Sequence, residues 1–296
     1  MIVAITGASG FIGKRLSASL QREGHMVRTL GRRPSVPGVE HYPWDASREP
    51  APFKALEGTD AVVHLAGEPV AQRWNADVKR RIHDSRVVGT RNLVASFSQV
   101  LQAPKVLVSG SAIGWYGDRA DQVLTEASDP GDGFLADTCR EWEAEARKAR
   151  TAGARVALIR TGIVLGTEGG ALAKMLTPFR LGVGGPLGSG QQWMSWIHIE
   201  DMVRLLLFAL DNDTAEGPLN ATAPHPVRNI DFSHALGAAL GRPSFLPVPA
   251  FGLKLLFGEG ATALLGSQRV LPEATAKAGF NFRFSAIRGA LEDVLR

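Results

Sequence analysis

The 296-residue chain contains one cysteine, Cys139. An internal disulfide is therefore excluded, and a reducing compartment suits the chain. Long apolar runs are also missing. The longest strictly apolar stretch, Leu205-Leu206-Leu207-Phe208-Ala209-Leu210, is far too short to cross a bilayer. The opening residues show no basic segment followed by an apolar core, so no leader is read there and a cytoplasmic location is expected. No large excess of one charge sign exists: 33 Lys and Arg face 29 Asp and Glu, for a formal net charge of +4. Apart from Lys79-Arg80-Arg81 the basic residues are scattered. Charge alone therefore points neither to nucleic acid nor to a membrane surface. There is no internal repeat, no low-complexity segment and no cluster that reads as a metal site.

What is present is an alternation of short apolar runs with helical periodicity. Ile2–Ile5, Met26–Leu30, Val39–Tyr42, Ala61–Leu65, Lys105–Ser109 and Val156–Arg160 read as strands. Ala76–Leu101 and Phe134–Thr151 are the clearest helices between them. That order predicts an α/β fold with a doubly wound parallel sheet covered on both faces, over residues 1–167. Ligands of such sheets bind just beyond the strand C-terminal ends.

The first such end is Thr6-Gly7-Ala8-Ser9-Gly10-Phe11-Ile12-Gly13. Gly7 permits a sharp turn, Gly10 lets backbone approach a pyrophosphate, and Gly13 lets the following helix pack closely. With a strand in front and a helix (Phe11, Ile12, Leu16, Leu20) behind, Gly7, Ser9, Gly10, Phe11, Ile12 and Gly13 are expected to hold a dinucleotide's phosphates. Arg32 and Arg33 follow the second strand, where an acidic residue would select an unphosphorylated ribose. Two arginines fit a 2′-phosphate instead, so NADP(H) is expected rather than NAD. Asp45 either accepts from adenine or caps a following helix. Leu65, Ala66, Gly67 and Glu68, after the fourth strand, would lie along the cofactor's middle. Ser109, Ser111 and Tyr116 follow the fifth, with Ser109 on the cofactor and Ser111 and Tyr116 as candidate catalytic groups.

The later half, 168–296, has fewer regular units and is expected to form a substrate-side lobe, with parts of 188–225 completing the sheet. Trp193, Trp196 and His198 lie between a glycine-rich loop and a helix starting near Ile199. A substrate stacking there competes with simple burial of either ring. A Pro-rich stretch, Leu246-Pro247-Val248-Pro249, opens a small C-terminal unit of about 246–296.

Several motifs together carry a family resemblance. Thr6–Gly13, His64–Gly67, Gly89-Thr90-Arg91-Asn92-Leu93 and Gly188–Asp201 resemble the extended short-chain dehydrogenase/reductases of the epimerase/dehydratase type. Arg160-Thr161-Gly162-Ile163-Val164-Leu165-Gly166, Ser195–Asp201 and Gly266-Ser267-Gln268-Arg269-Val270-Leu271-Pro272 are similar to its atypical "epimerase family" branch, which ends in a small domain of unknown function. The resemblance implies an NAD(P)-binding Rossmann fold and an oxidoreductase or epimerase acting on a small molecule. It also implies a Tyr-x-x-x-Lys pair, in which the lysine brings the phenol down from about 10 for proton transfer. That pair is absent. Tyr42 and Tyr116, the only two tyrosines, are followed four residues on by Ala46 and Ala120. With Glu143 as the glutamate that follows the lysine, the pair falls on Leu135 and Cys139. Arg86 stands where relatives carry asparagine, and Met194 where an arginine would grip a sugar nucleotide's diphosphate. Two roles therefore remain open: an enzyme with rearranged acid–base chemistry, or a non-catalytic NADPH-binding sensor or scaffold.

Overall fold

The computed structural model describes residues 1–34 and 36–296. Seven strands, Ile2–Thr6 (β1), Met26–Gly31 (β2), Glu40–Pro43 (β3), Ala61–His64 (β4), Val106–Ala112 (β5), Arg155–Thr161 (β6) and Gly217–Ala221 (β7), form one sheet. Its order is β7-β6-β5-β4-β1-β2-β3, with every neighbouring pair parallel. Strand order reverses between β1 and β4, which opens the crevice where ligands of such sheets bind.

The apolar strand runs follow from this architecture, since both faces are covered and alternate side chains enter opposite cores. Val3, Ile5, Val63, Val108 and Ile159 join one core, with helices Phe11–Arg22 (α1) and Ile199–Asp211 packed upon it. Ala4, Val62, Leu107, Val156 and Leu158 join the other, beneath helices Ala76–Ala95 (α2) and Phe134–Arg147 (α3). α2 and α3 are each shorter than the expected helix and finish in a 3-10 turn.

Two features of the sheet bear on function. β5 runs on to Ala112 instead of stopping near Ser109, because it keeps pairing with β6 up to Ala112 opposite Thr161. Ser109-Gly110-Ser111 is thus strand throughout. β7 reads Gly-Pro-Leu-Asn-Ala and carries no periodic signal; its parallel pairing with β6 recruits it. A third core (Leu165, Leu172, Phe179, Trp196, Phe232, Leu291) builds the later half. No helix among the described residues is long and apolar enough to cross a membrane.

α1 begins at the glycine motif and buries Gly13, Leu16, Ser17 and Leu20. A Cβ on Gly13 would lie 2.3 Å from the carbonyl oxygen of Gly7. Gly13→Ala should therefore lever α1 off the sheet and cost at least about 1–3 kcal/mol, the usual range for overpacking. A lowered urea midpoint with unchanged slope is the expected readout.

Candidate functional site

The crevice is framed by two stretches of backbone in contact. Gly7 has φ +72°, and a Cβ there would lie 2.7 Å from the Leu65 carbonyl carbon. Only glycine meets both demands. Thr6 secures the contact: its Oγ1 accepts from the Leu65 and Ala66 amides, each at 3.2 Å. Its own proton then goes to Nδ1 of His64, 2.6 Å away. His64 is wholly buried, and burial pulls its pKa down to about 4, so the ring stays neutral. Above this contact α1 starts at Gly10 with no side-chain cap and no acidic residue in its first turn. The first bond back into the helix comes from Lys14, to Gly10. The amides of Phe11, Ile12 and Gly13 precede it and remain for an anion, at the positive end of the helix dipole. Ser9 and Gly10 are exposed beside them. This cradle, which a Cβ would fill, suits a pyrophosphate. The Phe11 ring lies so close to Gly166 that a Cβ there would sit 2.2 Å from it, bringing the loop after β6 over the start of α1.

Arg32 and Arg33 are exposed at the end of β2, and neither pairs with a carboxylate among the described residues. Asp45 is committed to its own turn. Oδ1 accepts from the Ser47 amide at 3.2 Å and hydroxyl at 2.8 Å, and Oδ2 meets Arg48.

Beyond β5 the expected catalytic pair is absorbed into a buried network. Ser111 and Arg160 are directly opposite on β5 and β6 and point to the α3 side. There Glu143, fully buried, accepts from Ser111 Oγ at 2.8 Å and from Arg160 at 2.8 and 3.1 Å. Arg160 also donates to Tyr116 Oη at 3.1 Å and stacks 3.9 Å from the Trp115 ring. Tyr116 Oη donates to Asn220 Oδ1 at 2.8 Å. Burial pushes the phenol up to about 12, despite Arg160 beside it. With no exposed surface and both sides of its hydroxyl taken, Tyr116 is placed to cross-link rather than to exchange a proton with a ligand. Ser109 is buried as well, its Oγ donating to the Gly110 carbonyl.

The exit of β4 holds Arg86, the residue that stands where relatives carry asparagine. Arg86, on α2, turns its guanidinium onto Gly67, 3.2 Å from where a Cβ would stand. Its Nη1 donates to the carbonyls of Glu68 and Ile82, and the group stacks 5.4 Å from the Trp142 ring. Glu68 is fastened in turn: its amide donates to Ser85 Oγ, and its carboxylate accepts from Gln72 and meets Arg81. Cys139, at the position of the missing lysine, is buried; burial drives its thiol up to about 12, so it is not a thiolate.

On the later half two expectations need correction. Trp196 is fully buried in the third core, its Nε1 donating to the His225 carbonyl, because it lies on a short strand parallel to Ile163–Leu165. It cannot stack on a substrate. His198 is the N-cap of the helix Ile199–Asp211. Its Nδ1 accepts from the Glu200 amide and its ring stacks on Phe284, away from the crevice. With Nδ1 accepting, the neutral ring carries its proton on Nε2, towards Asp293 at 3.4 Å. His198, Glu200 and Asp293 are close enough to suggest a cation, but that proton, and the Arg283 on Glu200, already occupy the donors. Trp193 stays partly exposed, with the Arg228 guanidinium 4.4 Å and the Arg269 guanidinium 4.6 Å from its ring.

Comparison with known proteins identifies relatives along the whole chain. A model described as "NAD dependent epimerase/dehydratase family" matches residues 3–221, and "Domain of unknown function (DUF1731)" matches 248–294. The chain is 44% identical over 303 residues to the epimerase family protein SDR39U1 homolog, chloroplastic, of Arabidopsis thaliana, covering 100% of this chain and 87% of that one. It is 37% identical to the epimerase family protein SDR39U1 of Mus musculus over the whole of both. The crystal structure of the human epimerase family protein SDR39U1 (isoform2) with NADPH matches with a TM-score of 0.90 at 36% identity, over 99% of each chain.

The buried phenol generates a test. In spectrophotometric titration of the folded protein, Tyr116 should keep its proton until about pH 12. Because the folded state holds this proton where the unfolded one has lost it, stability should fall as pH rises above about 10, the unfolded value. Ionisation of both phenols near that value in the native protein would contradict the network.

Proposed function

The chain belongs to the NAD dependent epimerase/dehydratase family, and from that premise we propose that it binds NADPH and acts as an oxidoreductase or epimerase-like enzyme on a small molecule. One observation carries the reading: an uncapped helix start above a glycine cradle, flanked at β2 by two exposed arginines without carboxylate partners among the described residues. The amides of Phe11, Ile12 and Gly13 would take the pyrophosphate, and Arg32 and Arg33 the 2′-phosphate. Asp45 would border the adenine, and Leu65, Ala66, Gly67 and Glu68 would line the middle. Ser109 would border the nicotinamide end. The human relative was crystallised with NADPH, which supports the same choice here.

NADPH, when bound, supplies the hydride. The chain's own residues hold and orient the reactants. Ser111 spends its proton on Glu143, so towards a ligand it offers only a lone pair, suited to accepting from a substrate hydroxyl. Tyr116 is locked, which leaves water to carry the proton. Met194 is buried with its sulfur against Asn229 Nδ2 at 3.0 Å, and a thioether cannot grip a diphosphate. A substrate other than a nucleotide-diphosphate sugar follows. Trp193, partly exposed beside Arg228 and Arg269, would border it on the later half. The free thiol suits the cytoplasm as the site of action, although the Arabidopsis relative is named as chloroplastic.

A second reading, a non-catalytic NADPH-responsive binding protein, draws on the locked Tyr116 and the buried thiol at Cys139. A screen of NADPH consumption across carbonyl classes separates the two. Rapid turnover of any one compound removes the second reading.

For the cofactor, NADPH should bind more tightly than NADH by about tenfold or more. Charge-assisted bonds to the 2′-phosphate contribute roughly 1.5–3 kcal/mol each. In Arg32→Ala the preference should collapse. Equal affinities in the unmodified protein, measured by fluorescence titration, would refute the assignment.

A further inference from the structure

Arg86 differs from every other cation of the basic run on α2. Lys79 pairs with Glu259 at 2.7 Å, Arg80 with Asp77 at 2.9 Å, Arg81 with Glu68 at 3.5 Å and Arg91 with Glu145 at 2.8 Å. Arg86 pairs with no carboxylate among the described residues. Only its Nη1 is engaged, by the carbonyls of Glu68 at 3.0 Å and Ile82 at 3.1 Å and weakly by Ser85 Oγ. Nε and Nη2 donate to no described residue. Arg86 is half-buried and neither nitrogen is sealed from solvent, so an oxygen-rich group can still reach both donors.

Its position identifies that group. The guanidinium lies over Gly67, just beyond β4, and stacks on Trp142. The same indole lies against Gly110 of β5, 3.1 Å from where a Cβ would be. Arg86 therefore fills the slot between the exits of β4 and β5. A dinucleotide whose pyrophosphate rests on α1 and whose 2′-phosphate meets Arg32 extends towards β2 on one side. Its other half must run across β4 and β5, over that slot. Arg86 also neighbours Cys139, whose thiol feels its charge. A cation is thus restored beside the position that lacks the lysine, from a different helix.

We propose that Arg86 binds the nicotinamide-side ribose of NADPH, donating from Nε and Nη2 to its hydroxyl oxygens. This rests on the NADPH reading above. A guanidinium is permanently charged, so it orients the ribose without exchanging protons.

The test uses the 296-residue protein, NADPH, and 2′,5′-ADP, which carries the adenosine and 2′-phosphate but no second ribose. Binding is followed by intrinsic fluorescence, with thermal melts to confirm folding. Arg86→Gln should weaken NADPH by about tenfold or more, as expected for lost charge-assisted bonds, and leave 2′,5′-ADP unchanged. Arg86→Lys should recover much of the NADPH affinity. Unchanged NADPH affinity in Arg86→Gln overturns the proposal. Equal weakening of both ligands does so too, since it shows that Arg86 only shapes the Gly67–Glu68 loop. If Arg86→Gln does not fold, Arg86→Lys decides: it must still bind NADPH more tightly than 2′,5′-ADP. Failure of the underlying reading looks different, because the unmodified protein would then bind neither ligand.

Discussion

The mouth of the sheet depends on a contact between two pieces of bare backbone, the β1–α1 turn and the exit of β4. Gly7 and Gly13 allow it, because each stands where a Cβ would collide with main-chain atoms. Thr6 completes it by bonding two amides and one imidazole with a single hydroxyl. The amides at the start of α1 are aimed into the crevice as a consequence, and a phosphate can reach them without a side chain in between. His64, which sits at the same edge, is spent on this joint and kept neutral by burial.

A second constraint lies deeper. Arg160 and Glu143 form an ion pair with almost no exposure, a costly arrangement unless every remaining donor and acceptor is met. Here they are met by Ser111, Tyr116, Arg147 and the carbonyl of Glu126. The chain of bonds continues through Asn220 to the carbonyl of Leu271, while Glu126 accepts from the amides of Asn220, Ala274 and Thr275. The polar core thus sews β5, α3, β6 and β7 to the C-terminal segment. The hydroxyls that sequence position suggested for chemistry are the stitches.

Much of the frame was legible because it is local. Apolar runs such as Val62-Val63 declare a strand buried on both faces, and the spacing of Gly7, Gly10 and Gly13 declares a strand–turn–helix. β7 was not legible as a strand, since its residues have little sheet preference and pair only because β6 lies ready. Gly110-Ser111-Ala112 lies past Ser109, where the apolar run ends, yet stays in the ladder through its partner. Trp196 and Trp193 are three residues apart and looked alike; one fills a core and the other stays partly exposed beside two arginines.

Contiguous residues settled the fold class, the glycine turn at the start of α1, the pair of arginines after β2 and the lack of the Tyr-x-x-x-Lys pair, because periodicity, glycine spacing and residue identity are properties of neighbours in the chain. Which polar groups would be used up was settled elsewhere. Tyr116 meets Asn220 across 104 positions, and Glu126 meets Thr275 across 149. Arg86, one of several cations along a helix, becomes distinct once Gly67 and Trp142 are folded around it. Hydrogen-bond satisfaction is a property of what is packed opposite, and that partner is chosen by the sheet order rather than by any stretch of sequence.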